Sequence, residues 1–260
     1  MFFMINVPGN IRRNLIPLFS SHKFGRISIE AILSGKWGEA FTDSLENPQY
    51  ALLRLGGAHF LGGVPKKSSF NEISDLITRG KSIFLPDYKW ITEFKNVFGN
   101  ELVSFKRTSI SSKNLNLKRI QEFKNQIQPK LELQQINPEL VKKIDNNLTK
   151  SLMKSYGTSD KFIANGIGFC ILDHDKVVSA AFAFIKLNND IEIQINTNSD
   201  YRRKGLATFV SSALIEYCLE HNLNPHWDSA NEISFNLAIK LGYTNPIQYE
   251  SYYLQTIKSD

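Results

Sequence analysis

Ile191-Glu192-Ile193-Gln194-Ile195-Asn196-Thr197-Asn198-Ser199-Asp200-Tyr201-Arg202-Arg203-Lys204-Gly205-Leu206-Ala207 is the stretch on which the reading of this chain turns. Isoleucines alternate with polar residues at its start, which predicts a half-buried strand. Asn198, Ser199 and Asp200 form a short polar turn. The apolar spacing of Phe209, Val210, Ala213, Leu214 and Tyr217 then predicts a helix over 204–220. A strand–turn–helix crossing of this kind points several backbone N–H groups at one spot. The first four amides of a helix lack intrahelical acceptors, and the helix dipole adds partial positive charge. Phosphate oxygens satisfy both. Gly205 lets the backbone come close to an anion without a Cβ, and Ala207 keeps the next turn thin. Arg202, Arg203 and Lys204 raise the local potential. Taken alone, these six residues fit a solvated helix start equally well.

Working outward, the second half of the chain is regular. A strand is expected at 131–136. A helix follows that starts with Asn137 at its cap and Pro138 in its first turn, and it runs to Leu148. The apolar runs 167–172 and 177–185, joined by Asp173-His174-Asp175-Lys176, read as a hairpin. After the central stretch come a strand at 225–228, a helix at 231–241 and a closing pair of short strands at 247–254. The order β-α-β-β-β-α-β-α-β implies a mixed sheet with helices on its faces.

The first half is less regular. Residues 11–19 look helical but contain Pro17, and Ala31-Ile32-Leu33 before Gly35 reads as a helix end. Strands are expected at 37–42, 50–55, 60–63 and 82–86, and helices at 70–79 and 88–98. The pairs Gly56-Gly57 and Gly62-Gly63 read as hairpin turns, because neither a basic residue nor a helix start follows directly. The polar segment 109–116 marks the boundary, with a connecting helix at 118–128. The expected organisation is an α/β domain over 1–112, a linker over 113–128 and a second domain over 129–260.

The bulk numbers narrow the class. The 260 residues are 42% hydrophobic and 22% charged, as in ordinary globular proteins. The net charge of +6 is spread along the chain. It suits an anionic ligand but carries no nucleic-acid motif. The two cysteines, Cys170 and Cys218, make neither a disulfide framework nor a zinc site, so no metal is expected. The apolar start at Met1 precedes Arg12 and Arg13, the reverse of a secretory signal, and no run of about 18 apolar residues exists. The expected location is the cytoplasm, without a membrane or nucleic-acid partner, as a monomer or homodimer.

Arg202-x-x-Gly205-x-Ala207 resembles the Q/R-x-x-G-x-G/A signature of the GCN5-related N-acetyltransferases, the GNAT superfamily. Asn231-x-x-Ser234, with Leu237 and Lys240-Leu241-Gly242-Tyr243, resembles a later helix of that family. A finer resemblance is to zwittermicin-resistance-type acetyltransferases. It runs through Gly166-Ile167-Gly168-Phe169-Cys170, Glu192-Ile193-x-Ile195-x-Thr197 and Pro225-x-Trp227-Asp228-x-x-Asn231-x-x-Ser234. In the first half, Leu33-x-Gly35 and Asn47-Pro48 carry it. The resemblance implies an α+β fold. Its C-terminal part would be a GNAT-like mixed, mainly antiparallel sheet flanked by helices. A smaller α/β domain would lead it, a degenerate GNAT-like half being one reading of that domain.

It also implies acetyl-CoA as cosubstrate and a small primary amine as acceptor. In the family the strand before the turn splays from its neighbour and bonds the pantetheine arm, which maps to Ile195, Asn196 and Thr197. Pyrophosphate binding maps to Arg202, Arg203, Lys204, Gly205, Leu206, Ala207 and Thr208. Asn231 and Ser234 would lie near the thiol end. Acetyl transfer needs an amine freed of its proton and a proton for the leaving thiolate. Glu192 is the expected base, directly or through water, and its other reading is a solvent-facing strand residue. Many family members carry a Tyr seven residues after the helix Asn, where this chain has Ala238. Tyr243, Tyr249, Tyr252 and Tyr253 are then the nearby donors, with Tyr253 the choice, and solvent is another source. Tyr243 also reads as core. Asp228 alternates with His226 on one face and is the acceptor-site choice; capping the next helix is its other reading. His226 and His174 read as structural and exposed, respectively. The competing function is a CoA-binding or scaffold module that has kept the fold and lost the chemistry.

Overall fold

The computed structural model describes residues 4–64, 66–125, 130–148 and 151–256. Two compact units emerge: Met1–Arg107 with Tyr249–Asp260, and Thr108–Gln248. The closing residues 249–256 thus group with the first unit, whereas the sequence put them in the second domain.

The first unit opens with β1 (Ile5–Asn6), a 3-10 helix (Gly9–Phe19) and α1 (Arg26–Leu33). The 3-10 form replaces the α-helix suggested by 11–19; Pro17 lies inside it and has no N–H to donate. Next come β2 (Glu39–Thr42), β3 (Tyr50–Leu55), β4 (Ala58–Gly63), α2 (Phe70–Leu76), β5 (Ser82–Phe84) and α3 (Tyr88–Phe98). Asp87 caps α3 by accepting from the Trp90 N–H. Strands β1 to β4 pair antiparallel in sequence order, and β4 pairs β5 in parallel. The core gathers Leu52, Leu61, Phe70, Trp90, Phe94 and Tyr252.

The chain passes into the second unit within β6 (Leu102–Ser111). That strand was not foreseen, because its residues are mostly half-buried and its alternation is weak. Then follow α4 (Leu117–Lys124), β7 (Glu132–Gln135), α5 (Pro138–Asn147), α6 (Ser151–Tyr156) and α7 (Ser159–Asn165). Residues 126–128 of the expected connecting helix lie outside the described residues. The short helices α6 and α7 were also unforeseen. The hairpin β8 (Gly168–Asp173) and β9 (Lys176–Leu187) stands as expected, with His174 left-handed at its turn. It is followed by β10 (Asp190–Thr197), α8 (Leu206–Glu220), β11 (Asn224–Ser229), α9 (Glu232–Leu241) and β12 (Thr244–Leu254). The expected closing pair of strands is therefore one strand.

The order in the second unit is β6-β11-β10-β9-β8-β7, all antiparallel except β10 with β11. One face of β8, β9 and β10 buries Ile171, Ala181, Ala183 and Ile191 against Leu206, Val210, Leu214 and Cys218 of α8. A fully buried aliphatic side chain contributes about 1.5–3 kcal/mol, so this seam anchors α8 and fixes its first turn. A second cluster holds Ile110, Ile120, Ile215, Trp227, Ala238, Leu241 and Tyr243. This is a mixed α+β fold with a mainly antiparallel sheet flanked by helices.

Candidate active site

Strand β10 has two different edges. Toward β9 it is paired from Asp190 to Thr197. Toward β11 it is paired only through Asp190, Ile191 and Glu192, opposite Asn224, Pro225 and His226. Beyond that point β11 pairs with β6, from Trp227 to Ser229. Among the described residues, Ile193 to Thr197 have no strand partner on the β11 side. The divergence starts where the β9–β10 register slips: Glu192 faces Ile185 but Ile193 faces Ala183, leaving Phe184 extra. An extra residue bends a strand and increases its twist, which opens the gap. Ile191, Ile193 and Ile195 pack toward α8. Alternation puts Glu192, Gln194 and Asn196 on the other face. The Nδ2 of Asn196 is buried without a hydrogen-bond partner. Thr197 meets the Ser179 hydroxyl at 2.8 Å.

The open edge leads into the turn. Asn198 accepts from the Asp200 N–H at 3.1 Å, and Ser199–Tyr201 form a single 3-10 turn. The Tyr201 hydroxyl donates to Asp173 at 2.8 Å, and this bond raises its pKa first, with burial second. The tyrosine ring is thereby fixed, with the Lys204 ammonium 4.7 Å from its centroid. Arg203 is left-handed with φ 59°, and so is Gly205 with φ 80°. Two left-handed residues within three positions turn the backbone sharply into α8. Among the described residues, the N–H groups of Arg203, Lys204, Gly205, Leu206 and Ala207 have no hydrogen-bond acceptor. Arg202, Arg203, Lys204 and Gly205 are exposed. Five unsatisfied donors at a helix start, ringed by cations, fit the phosphates of a CoA ester. The open strand edge fits its amide-bearing arm.

A sequence profile of the GNAT acetyltransferase family matches residues 17–252. The chain belongs to this family. An uncharacterized N-acetyltransferase of Bacillus subtilis, YdfB, is 26% identical over 175 residues; that is 66% of this chain and 65% of the relative's own length. The crystal structure of a GCN5-related N-acetyltransferase-like protein from Streptococcus suis is similar at TM-score 0.83 and 26% identity. It covers 95% of this chain and 99% of that one. A GNAT-family acetyltransferase from Colwellia psychrerythraea shares the fold at TM-score 0.56 and 10% identity, over 98% and 100% of the two chains.

Other expected residues of this GNAT chain take more specific places. Leu206 and Thr208 are buried, and the Thr208 N–H donates to Gly205 at 2.9 Å, so Thr208 has no free amide for a ligand. Asn231 caps α9 by accepting from the Ser234 N–H at 2.9 Å. The Ser234 hydroxyl accepts from Trp227 Nε1 at 3.0 Å. Both side chains thus hold the start of α9 against β11. Since Asn231 is the cap, Asp228 is not. It sits half-buried on β11, one alternation from His226, with Ser109 of β6 opposite. Ala238 is fully buried between Trp227, Leu241 and Tyr243. Its position faces the core, where a phenol could not reach a ligand.

The tyrosines separate. Tyr243 is core: its hydroxyl donates to the Pro225 carbonyl at 3.0 Å, and burial pushes its pKa well up. Tyr252 is buried in the first unit and donates to Glu250 at 2.9 Å. Tyr249 stacks on Phe24 at 3.9 Å. Tyr253 is half-buried beside Phe105, at 5.9 Å between rings. Tyr249, Tyr252 and Tyr253 belong to the first unit, Glu192 and Asp228 to the second. Cys170 and Cys218 are buried, and burial pushes each thiol up to about 12. Among the described residues, no group of three or more His, Cys, Asp or Glu side chains could hold a metal ion. No helix among them is long and apolar enough to cross a membrane.

Proposed function

We propose that this chain is an acetyl-CoA-dependent N-acetyltransferase acting on the primary amine of a small molecule by direct attack on the thioester. The observation that carries the reading is the open edge of β10, running without a break into five unpartnered N–H groups at Arg203–Ala207. Bound acetyl-CoA supplies an activated acetyl carbonyl. The chain's residues do the rest. The backbone of Ile195, Asn196 and Thr197 holds the arm, and the buried Asn196 amide offers a donor. Arg202, Arg203, Lys204 and the amides through Ala207 hold the phosphates. Asn231 and Ser234 contribute by fixing α9. Glu192 lies at the apex of the gap and accepts the amine's proton, directly or through water. Asp228 helps seat the acceptor, and solvent returns a proton to the sulfur. Direct transfer is favoured over an acyl-cysteine step because both thiols are buried and held protonated. The finer kinship with zwittermicin-resistance-type enzymes rests on the motifs quoted above, and a reducing cytoplasmic setting suits the two free thiols.

Calorimetric titration with acetyl-CoA tests the cofactor; no heat at millimolar ligand with folded protein sinks the reading. Thiol release across an amine panel separates enzyme from scaffold. Loss of release in Glu192→Gln, with acetyl-CoA binding intact, supports catalysis. Binding without release from any amine leaves the scaffold.

A further inference from the structure

The closed end of the β10–β11 pair carries a polar cluster that the scheme above does not use. The His226 Nε2 lies 2.6 Å from Asp190 Oδ1. The Asn224 amide donates to the same oxygen at 2.9 Å, and the Ser112 hydroxyl donates to Asn224 Oδ1 at 2.5 Å. Asn224 Nδ2 also lies 2.8 Å from His226 Nε2. Because an ionised carboxylate only accepts, the shorter 2.6 Å contact places the imidazole proton on Nε2, and the Asn224 N–H goes to Asp190 and not to the ring. The lone pair of the neutral ring is then on Nδ1. A carboxylate that fixes tautomer and ring orientation is the arrangement that makes histidine a proton acceptor. Asn224 holds the carboxylate, and Ser112 holds Asn224 in turn.

The placement matters as much as the pair. Glu192 is opposite His226 in the parallel register. Register partners share a face, with strands about 4.8 Å apart. The last paired residues before the gap are therefore the expected base and this imidazole. The same face carries Asp190 and Glu192 on β10 and Asp228 on β11. It also carries Ser109 on β6, opposite Asp228, and the uncharged Ile185 and Leu187 of β9. The His226 side chain keeps 41% of its surface in solvent.

We infer that His226, oriented by Asp190, is the proton exit of the acetyl transfer: it takes the acceptor's proton on from Glu192 and releases it to water. This rests on the acetyltransferase reading. The acceptor ammonium gives one proton to Glu192, which passes it to His226 Nδ1 and so returns to carboxylate. The free amine forms the C–N bond to the acetyl carbon as the C–S bond breaks and its electron pair stays on sulfur. The second nitrogen proton ends on that sulfur. The imidazolium loses its proton to solvent. Asp190 is a positioning residue.

The test uses the full chain. Nitrogen NMR of the ring reads the tautomer, with Nε2–H expected in the wild type and a tautomer mixture in Asp190→Asn. Acetyl-CoA should shift the His226 ring signals. With acetyl-CoA and a panel of spermidine, kanamycin and glycylglycine, His226→Gln should slow thiol release on the order of 100-fold at unchanged acetyl-CoA affinity. Free imidazole should restore His226→Gly, which a structural role would not allow. An Nδ1–H tautomer in the wild type, a ring silent to bound acetyl-CoA, or full turnover in His226→Gln overturns the inference, and the ring signals decide it even if no panel amine reacts. Failure of acetyl-CoA to bind at all instead overturns the acetyltransferase reading, and this inference with it.

Discussion

Replacing Gly205 by Ala tests the turn at its tightest point. Gly205 begins α8 at φ 80° and ψ −5°, in the left-handed region. An L-residue with a Cβ pays about 1–2 kcal/mol there. The added Cβ would sit 3.2 and 3.3 Å from ring carbons of Phe209. That contact is tight, but the half-buried ring can yield a few tenths of an ångström, so it adds a fraction of a kcal/mol. Ala also restricts the unfolded chain, which returns about 0.4–1 kcal/mol. The net loss is about 1 kcal/mol, read as a lower urea midpoint. The larger effect is expected on the ligand, because relaxing φ re-aims the N–H groups of residues 203–207. A 1.4 kcal/mol loss of donor alignment is about tenfold in acetyl-CoA affinity. Asn tolerates the left-handed region better than Ala, so Gly205→Asn should fall between wild type and Gly205→Ala in both measurements. The reasoning is refuted if Gly205→Ala binds acetyl-CoA like the wild type, or if Asn is worse than Ala.

Arg203 holds a left-handed φ of 59° with a full side chain, so Arg203→Gly should unfold at higher urea by up to about 1 kcal/mol yet bind acetyl-CoA more weakly and with a shallower salt dependence. Ala238→Tyr should not create a proton donor: the site is fully buried, and overpacking should cost about 1–3 kcal/mol by thermal or urea unfolding, with no gain in thiol release. His59 is buried with its pKa lowered to about 4, chiefly by burial. The Thr78 N–H donates to its Nε2 and its Nδ1 meets the Ser82 carbonyl, a neutral ring bonded at both ends. A folded pKa below the unfolded 6.5 means stability is present above pH 6.5 and lost as pH falls toward 4, by about 3 kcal/mol. Urea titrations at pH 7 and pH 4 should show that extra loss in the wild type and less of it in His59→Gln.

Much of the second unit could be read because its signals are local. Strict alternation marked β10, Asn137-Pro138 marked the start of α5, and Asn231 marked the cap of α9. Where pairing supplied the order, reading failed. β6 has no clean period and exists because β11 needs a partner after it leaves β10. The short helices α6 and α7 have too few turns to show a stripe. At the site, Arg203 as a left-handed residue and His226 as the partner of Asp190 left no sequence signal; a lone His on a polar strand face reads as bland.

By itself the sequence determined the chemistry on offer: a basic turn with Gly205 at a helix start, a Glu-bearing strand before it and a capped helix after it. These are short-range properties, set by φ preferences, capping and periodicity. Tertiary structure decided which of them converge. It opened β10 from β11 at Glu192, a long-range consequence of one extra residue in β9. It put Ala238 and Tyr243 into the core, because packing and not spacing chooses which helix face is dry. And it joined His226 to Asp190 across 36 residues, since strand register, which no local pattern encodes, brings their side chains to one spot.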